Sequence, residues 1–175
     1  MRLIIPVLVL ALTPVCAQDI QFPPELDRLA DKASEAVEVT LDAQLLQLAA
    51  RFLSNRDPDE AKVKRLASGL KGIYVRAFEF DQPGAYTKAD LQSLRNQLKG
   101  PGWQPMVVVR SLKDGDNAEV YVRMENDKPA GLLIIAAEPR ELTIVNIVGQ
   151  IDPEQLADLG GHFGIPEFGR RRGKE

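Results

Sequence analysis

Length, composition and charge limit what this chain can do before any motif is considered. It has 175 residues, a formal net charge of −3, one histidine and one cysteine. This length suffices for one domain with a core of its own. The acidic balance argues against nucleic-acid binding, which calls for a basic face. A single cysteine excludes a disulfide framework and a thiolate metal site.

The amino-terminal segment is typical of a secretory signal peptide. Met1 and Arg2 give a short positive start, an apolar run follows over residues 3–12, and small residues lead up to Ala17. This order matches the charged, apolar and cleavage regions of a signal. The apolar run is shorter than the about 20 residues that a transmembrane helix needs. We therefore predict a signal peptide over residues 1–17, cleaved after Ala17, and an exported protein, either periplasmic or secreted.

Cys16 leaves a second interpretation of this segment open. In lipoproteins, a cysteine just after the apolar run is acylated and becomes the new amino terminus. Residues 13–15 are Thr-Pro-Val here, which match the usual Leu-small-small pattern poorly. Soluble export is therefore the prediction, and a lipoprotein anchored at Cys16 is the alternative.

The rest of the chain predicts one domain over residues 18–165 and a basic flexible tail over residues 166–175. Apolar spacing and capping residues predict helices that start at or just after Pro24, Asp42, Pro58, Thr87 and Pro153. Alternating and β-branched runs predict strands over residues 36–41, 73–80, 105–111, 118–125, 131–137 and 142–149.

The order of these elements predicts the fold class. The last four strands are joined by short segments with turn residues, so neighbouring strands should be antiparallel. The result is one β-α-β unit and then a meander, in an α+β fold. We expect a single, mostly antiparallel sheet of five to six strands with helices packed on one face. Strands 131–137 and 142–149 are apolar on both sides and should be central. The second face must then be covered by amino-terminal helices or by a partner chain.

Three segments carry further expectations about burial. The helices that follow Asp42 and Asp57 have apolar residues at one-face spacing and should bury them. These residues are Leu45, Leu48, Ala49 and Phe52 in the first helix, and Val63, Leu66 and Leu70 in the second. Strand 118–125 should instead be half solvated, because Glu119, Arg123 and Glu125 share one side with Tyr121.

Several segments together resemble one protein family. They are the run LKGIYVRAFEF over residues 70–80, a lone Trp103 before a strand, Gly131 followed by leucine, Glu138, and VNIVGQID over residues 145–152. The set is similar to the bacterial exported proteins grouped as domain of unknown function 4252, and the likeness covers residues 25–160. That family has no established activity. The resemblance therefore implies an envelope or secreted protein and a shared fold, without catalytic residues to carry over.

The chain offers no recognisable catalytic constellation. Its one histidine, His162, has no G-x-S-x-G serine to activate, and the S-x-x-K at residues 68–71 lacks the companion motifs of penicillin-binding enzymes. Zinc chemistry of the H-E-x-x-H type needs a second histidine. The Asp and Asn residues at 114–117 are more typical of a hairpin turn than of a calcium loop. We predict a protein that is not an enzyme and has no metal or cofactor.

Six residues are candidates for a binding site: Tyr74, Arg76, Phe78, Trp103, Glu138 and Asn146. Arg76 lies between two aromatic residues on one strand face, and Asn146 lies among apolar residues. Either group, if buried, needs a partner, because an unsatisfied polar group costs about 1–3 kcal/mol. That partner is Glu79, Glu138 or a strand carbonyl in the structural interpretation. In the functional one, Arg76 recognises a carboxylate or a peptide end at the floor of a groove. Trp103 is more typical of a core residue at the sheet edge.

Together these features favour an envelope protein that binds another protein or a peptide, through its sheet face or an exposed edge strand. The alternative is a carrier of a small ligand or a lipid, held in a cavity between helices and sheet. No nucleic-acid partner is expected. Membrane contact is expected only through the basic tail, by Arg170, Arg171, Arg172 and Lys174. The sequence leaves the oligomeric state open.

Overall fold

The structure is a computed structural model that describes residues 20–111, 113 and 115–151. The predicted signal peptide, the helix predicted from Pro153, His162 and the basic tail lie outside these residues. Within the described ranges, no helix is long and apolar enough to cross a membrane.

Four helices and six strands follow one another in the described part of the chain. The helices are α1 (Pro24–Ala30), α2 (Ala43–Phe52), α3 (Pro58–Gly69) and α4 (Gln92–Gln97). The strands are β1 (Glu35–Asp42), β2 (Leu70–Glu79), β3 (Trp103–Arg110), β4 (Asn117–Glu125), β5 (Lys128–Ala137) and β6 (Glu141–Gly149).

Capping residues start two helices where the sequence predicts them. The Asp42 carboxylate accepts a hydrogen bond of 2.8 Å from the Leu45 amide at the start of α2. Asp57 caps α3, and Pro58 occupies its first turn. The sequence prediction was wrong about the residue at which α4 starts. The Thr87 amide and hydroxyl both donate to Asp90, which closes a turn, and the helix begins only at Gln92.

The six strands form one antiparallel sheet in the order β1-β2-β6-β5-β4-β3. The α+β fold class is therefore confirmed, and β5 and β6 are central, as predicted. The β-α-β unit is β2-α4-β3. Its two strands run in the same direction, because an even number of antiparallel steps separates them, but β6, β5 and β4 lie between them.

This topology explains why one face of the sheet is covered by helices. The connection from β2 to β3 must cross three intervening strands, and α4 lies on that crossing. The chain before β1 contributes α1 to the same side. Leucines of both helices, including Leu26, Leu29 and Leu94, are fully buried against Leu133 and Ile144 of the sheet in one cluster. We call this side the covered face.

The burial expected for α2 and α3 was wrong. α2 buries Leu46, whereas Leu45, Leu48 and Phe52 are exposed, Phe52 to 83%. Ala49 is exposed as well, and α3 buries no residue: Val63 is exposed, and Leu66 and Leu70 are half-buried. The physical reason is connectivity. β1 and β2 are neighbours, so the α2-α3 connection between them has no need to cross the sheet and finds little surface to cover.

The expectation of a half-solvated β4 was also wrong for two residues. Glu119 and Arg123 are buried, and only Glu125 is exposed. Their side of β4 belongs to the covered face, because Glu119 pairs with Ile135 and Arg123 with Gly131 across the sheet. The sequence pattern cannot show this burial, since the covering helix α4 comes from an earlier part of the chain.

Candidate functional site

Arg76 is half-buried on the covered face and has two partners. Its Nη2 atom lies 2.6 Å from Oε1 of Glu38, the residue opposite it on β1. Its guanidinium carbon lies 5.2 Å from the centre of the Phe22 ring, which adds a cation–π contact. The expected partners Glu79 and Glu138 were wrong. A strand carbonyl, that of Val75, is at the long distance of 3.5 Å. This arginine is therefore already held by the fold.

The aromatic candidates belong largely to the core. Phe78 is buried in the main cluster of the covered face, and Trp103 packs against that cluster half-buried. The Tyr74 side chain lies along its own strand above Gly72. A Cβ atom added to Gly72 would lie only 2.7 Å from the tyrosine side chain. Gly72 is thus needed to leave room for the tyrosine. The expectation that Trp103 is a core residue is confirmed.

Asn146 is the most buried polar candidate, with 1% of its surface exposed. Its Nδ2 donates to the Ile20 carbonyl at 3.4 Å, a long hydrogen bond. Its Oδ1 has no hydrogen-bond partner among the described residues. A buried amide in this state destabilises the fold unless something else binds it.

Glu138 lies in the turn between β5 and β6, exposed. Its carbonyl accepts a hydrogen bond from the Tyr86 hydroxyl, as does that of Glu141 at 3.0 Å. Partial burial and the negative charges of Glu141 and Asp116 raise the pKa of the Glu138 carboxyl. Burial and the nearby Glu138 charge raise the pKa of Tyr86 to about 12. The tyrosine is thus a hydrogen-bond donor that secures the turn.

The six candidates do not form one site. Tyr74, Arg76 and Phe78 alternate along β2, and Asn146 lies opposite Tyr74 on β6. Trp103 begins β3 at the far edge of the sheet, about 19 Å from β2 at the usual strand spacing. Glu138 follows β5, at the end of the sheet opposite to Trp103. Only Tyr74, Arg76, Phe78 and Asn146 therefore lie close together, and most of their contacts stabilise the fold.

The other side of the sheet carries a larger feature, which we call the open face. Three rows of side chains cross all six strands. The middle row is Val39, Val75, Val145, Ile134, Val120 and Val107. One flanking row is Leu41, Ile73, Ile147, Leu132, Val122 and Gln104, and the other is Val37, Ala77, Thr143, Ala136, Ala118 and Val109. Only Gln104 and Thr143 are polar, so the face is almost entirely aliphatic.

Little of the described chain covers the open face. Val120 and Leu132 are buried with Ile151, the last described residue. Most of the remaining side chains in the three rows are only half-buried, and Val37 and Val109 at the two edges are exposed. The sequence pattern predicts a cover for a second apolar face. Within the described residues, Ile151 packs with open-face side chains of β3, β4, β5 and β6, and α2 contacts β1 and β2.

The two edge strands are poorly suited to adding a further strand. On β3, Pro105 lacks an amide hydrogen, and the pairing with β4 shifts register between Pro105 and Val107. A proline and a bulge are devices that blunt a sheet edge. On β1, Glu35 and Glu38 place negative charge along the edge. Recognition by strand addition is therefore disfavoured relative to recognition on the open face.

The covered face also contains a cleft that the sequence did not predict. It lies between α4 with its preceding turn and the ends of β3, β4 and β5, and its volume is about 690 Å³. At its floor, Arg95 Nη2 and Nε lie 2.6 and 3.2 Å from Oε1 of Glu119, and the Tyr121 hydroxyl donates to Oε2 at 2.8 Å. No local pattern links Arg95 to Glu119, because the contact depends on the crossing of α4.

Opposing influences act on the Glu119 carboxyl. Burial by itself raises its pKa. The hydrogen bonds from Arg95 and Tyr121, with the positive charge of Arg95, outweigh burial and hold the pKa below its ordinary value. Burial and the bond to Glu119 raise the pKa of the Tyr121 hydroxyl. The group at the floor of the cleft is thus a carboxylate, an arginine and a neutral tyrosine.

Comparison with known proteins adds a family and no activity. A family model described as Domain of unknown function (DUF4252) matches residues 31–159. No curated protein matches the chain, and no solved structure matches it.

Proposed function

The chain belongs to the DUF4252 family, and from that premise we propose that it is a non-enzymatic protein-binding module of the bacterial envelope. Its recognition surface is the open face, and its ligand is an amphipathic helix of a partner protein. The observation that carries this proposal is the continuous aliphatic surface formed by three side-chain rows across six strands. The sequence of the amino-terminal segment supports the exported location.

The size of the open face favours a helix over a larger partner. Six strands and three rows give an area on the order of 400 Å² at ordinary strand and residue spacings. That is less than the roughly 800 Å² per partner of a standard stable interface. A single helix about 10 Å wide and about 24 Å long, or 16 residues, covers about 240 Å², more than half of this surface.

The chemistry of the open face favours the same occupant. Aliphatic side chains offer no hydrogen bonds, so a partner must present a matching apolar surface with its own backbone groups already paired. A helix satisfies its backbone internally and concentrates its apolar side chains in one stripe. An extended peptide would need a sheet edge, and both edges are blunted by charge, proline or a bulge.

The alternative function, a carrier of a lipid or small ligand, has one observation in its favour. A cleft of about 690 Å³ lies between α4 and the sheet, within the usual range for ligand sites. Charged side chains contribute to its lining. Where α1 and α4 meet the sheet, buried leucines fill the space. The cleft therefore suits a small charged molecule with a short apolar part better than a long lipid chain.

The test is site-specific photo-crosslinking of the full chain in the producing cell. A photoreactive residue replaces Val145 at the centre of the open face, or Val108 as a control. Val108 is exposed on β3 but points to the opposite side, since it pairs with Glu119. We expect a discrete adduct from position 145 alone, joined to a segment with apolar residues at helical spacing. A synthetic peptide of that segment should bind the purified protein.

A pair of isosteric variants separates binding from folding. Val75→Thr with Val145→Thr makes the centre of the open face polar, and we expect it to weaken peptide binding at least tenfold. Val63→Thr with Val108→Thr changes two exposed valines elsewhere and should bind normally. An adduct within the same chain, an adduct between two copies, or no adduct at position 145 would overturn the proposal.

A further inference from the structure

The cleft on the covered face has an unusual charge balance for this chain. Four cationic side chains line it, namely Lys88, Arg95, Lys99 and Arg110, against the carboxylates of Glu119 and Glu138. The whole chain has a net charge of −3. The lining side chains therefore have a net positive charge in a concave place, and the negative charges of Asp116 and Glu141 act at its Glu138 end.

The Glu119 carboxylate at the floor is the counter-ion of Arg95 and offsets one of the four cationic charges. Both oxygens of Glu119 are engaged, one by Arg95 and the other by Tyr121. This arrangement fixes the Arg95 guanidinium in place, with part of its side chain still exposed. Arg110 lies close enough to act electrostatically on both Glu119 and Tyr121. Arg95 and Arg110 thus both line the cleft near Glu119, and Arg95 is preorganised by its ion pair.

The remaining lining supplies an apolar wall beside the charges. The ring of Tyr86 and Pro139 line the same cleft and keep accessible surface there, whereas Leu91 and Leu98 of the lining are buried in the core. Small-molecule sites combine such walls with a few polar groups that fix orientation. Arginine is suited to carboxylates and phosphates, since its planar donors match two oxygens at once.

We propose that this cleft binds a small organic anion. Its carboxylate or phosphate group lies at Arg95, Lys99 and Arg110, and its short apolar body lies against Tyr86 and Pro139. This site is on the opposite side of the sheet from the open face and does not depend on the proposed function.

Nuclear magnetic resonance titration of the full chain tests the proposal with four probes at fixed ionic strength. Octanoate and octyl phosphate carry both an anion and an apolar body, whereas 1-octanol and inorganic phosphate carry only one of the two. We expect saturable binding of octanoate, octyl phosphate or both, with shifts confined to residues 84–99, 110–121 and 137–139. The probe that binds identifies the head group. Octanol and inorganic phosphate should bind at least tenfold more weakly.

Two charge-matched double variants complete the test. Lys99→Gln with Arg110→Gln removes two exposed cations of the cleft and should weaken binding at least tenfold. Lys71→Gln with Lys128→Gln removes two exposed cations that do not line it and should leave binding unchanged. Equal losses in both variants, shifts on the open face, or no preference for the amphiphilic anions would overturn the proposal.

Discussion

The two faces of this sheet are built from alternate residues of the same strands, yet they differ in what contacts them. On β5, Leu133 is fully buried beneath the helices, whereas its neighbour Ile134 on the open face is only half-buried. On β6, Ile144 and Val145 show the same contrast. The open face is the more apolar of the two, since the covered face contains Glu119, Arg123 and Asn146, so composition does not explain why it is less buried.

Connectivity explains it. A connection between distant strands has to cross the sheet and brings α4 with it, whereas the connection between neighbouring β1 and β2 does not. The covered face therefore receives α1 and α4, whereas Leu45, Leu48 and Phe52 of α2 remain exposed. The comparison teaches that an apolar strand pattern predicts a face that needs a cover, while topology decides which face the chain itself covers.

The largest expected effect separates the two faces by stability. Leu133→Ala should lower the free energy of unfolding by about 3 kcal/mol, because it leaves a cavity under α1 and α4. Ile134→Ala, one residue away, should cost about 1 kcal/mol, since that side chain is already partly in water. Urea denaturation of both variants measures the difference. Equal losses would mean that the open face is as well covered as the other.

A second prediction concerns the ion pair between Arg95 and Glu119 on the covered face. Glu119→Gln should cost about 2 kcal/mol at pH 7, because it leaves the Arg95 charge partly buried without its counter-ion. The folded-state pKa of Glu119 is depressed, so its contribution is present above the ordinary carboxyl range. It is lost as the pH falls through that depressed value. The stability gap between wild type and variant should therefore close in acid.

The control for this prediction lies on the same strand. Glu125 is exposed at the end of β4, and Glu125→Gln should change the free energy of unfolding by less than about 0.5 kcal/mol. Urea denaturation at several pH values between 7 and 3 measures both variants. If the difference in free energy of unfolding between wild type and Glu119→Gln stays constant across this range, the ionisation of Glu119 contributes nothing to stability.

The sequence predicted local structure well, because local structure has local causes. Strand runs, aspartate caps and hairpin turns follow from neighbouring residues. In the β4-β5 turn, Asn126 and Asp127 both adopt positive φ angles, as residues at a tight hairpin do. The alternation of β2 also placed Tyr74, Arg76 and Phe78 on one face correctly.

The candidate site was harder to predict, because its contacts join distant parts of the chain. Arg76 meets Glu38 only because β1 is the neighbour of β2, and two helices separate those strands in sequence. Arg95 meets Glu119 only because α4 crosses to β4. The open face could be seen in part, since its alternate valines and isoleucines are visible in each strand. Its continuity across six strands depends on a register that only the structure gives.

The smallest expected effect, opposite in sign, comes from the polar group at the centre of the covered face. Asn146→Leu should raise the free energy of unfolding by about 1 kcal/mol, because it removes a buried carbonyl that has no partner in the described chain. Only the long bond to the Ile20 carbonyl is lost. Asn146→Asp should instead destabilise, since it buries a charge.

Thermal denaturation at matched pH compares these two variants with wild type. A clear loss of stability in Asn146→Leu would show that the amide is satisfied in solution, and that its bond to Ile20 helps hold the amino-terminal segment over the sheet. A gain would show that the covered face contains a polar group that the described contacts do not need. The open face has no comparable group, since its two polar side chains, Gln104 and Thr143, are not buried. The cost of an unpaired polar atom therefore falls only on the side that the helices close.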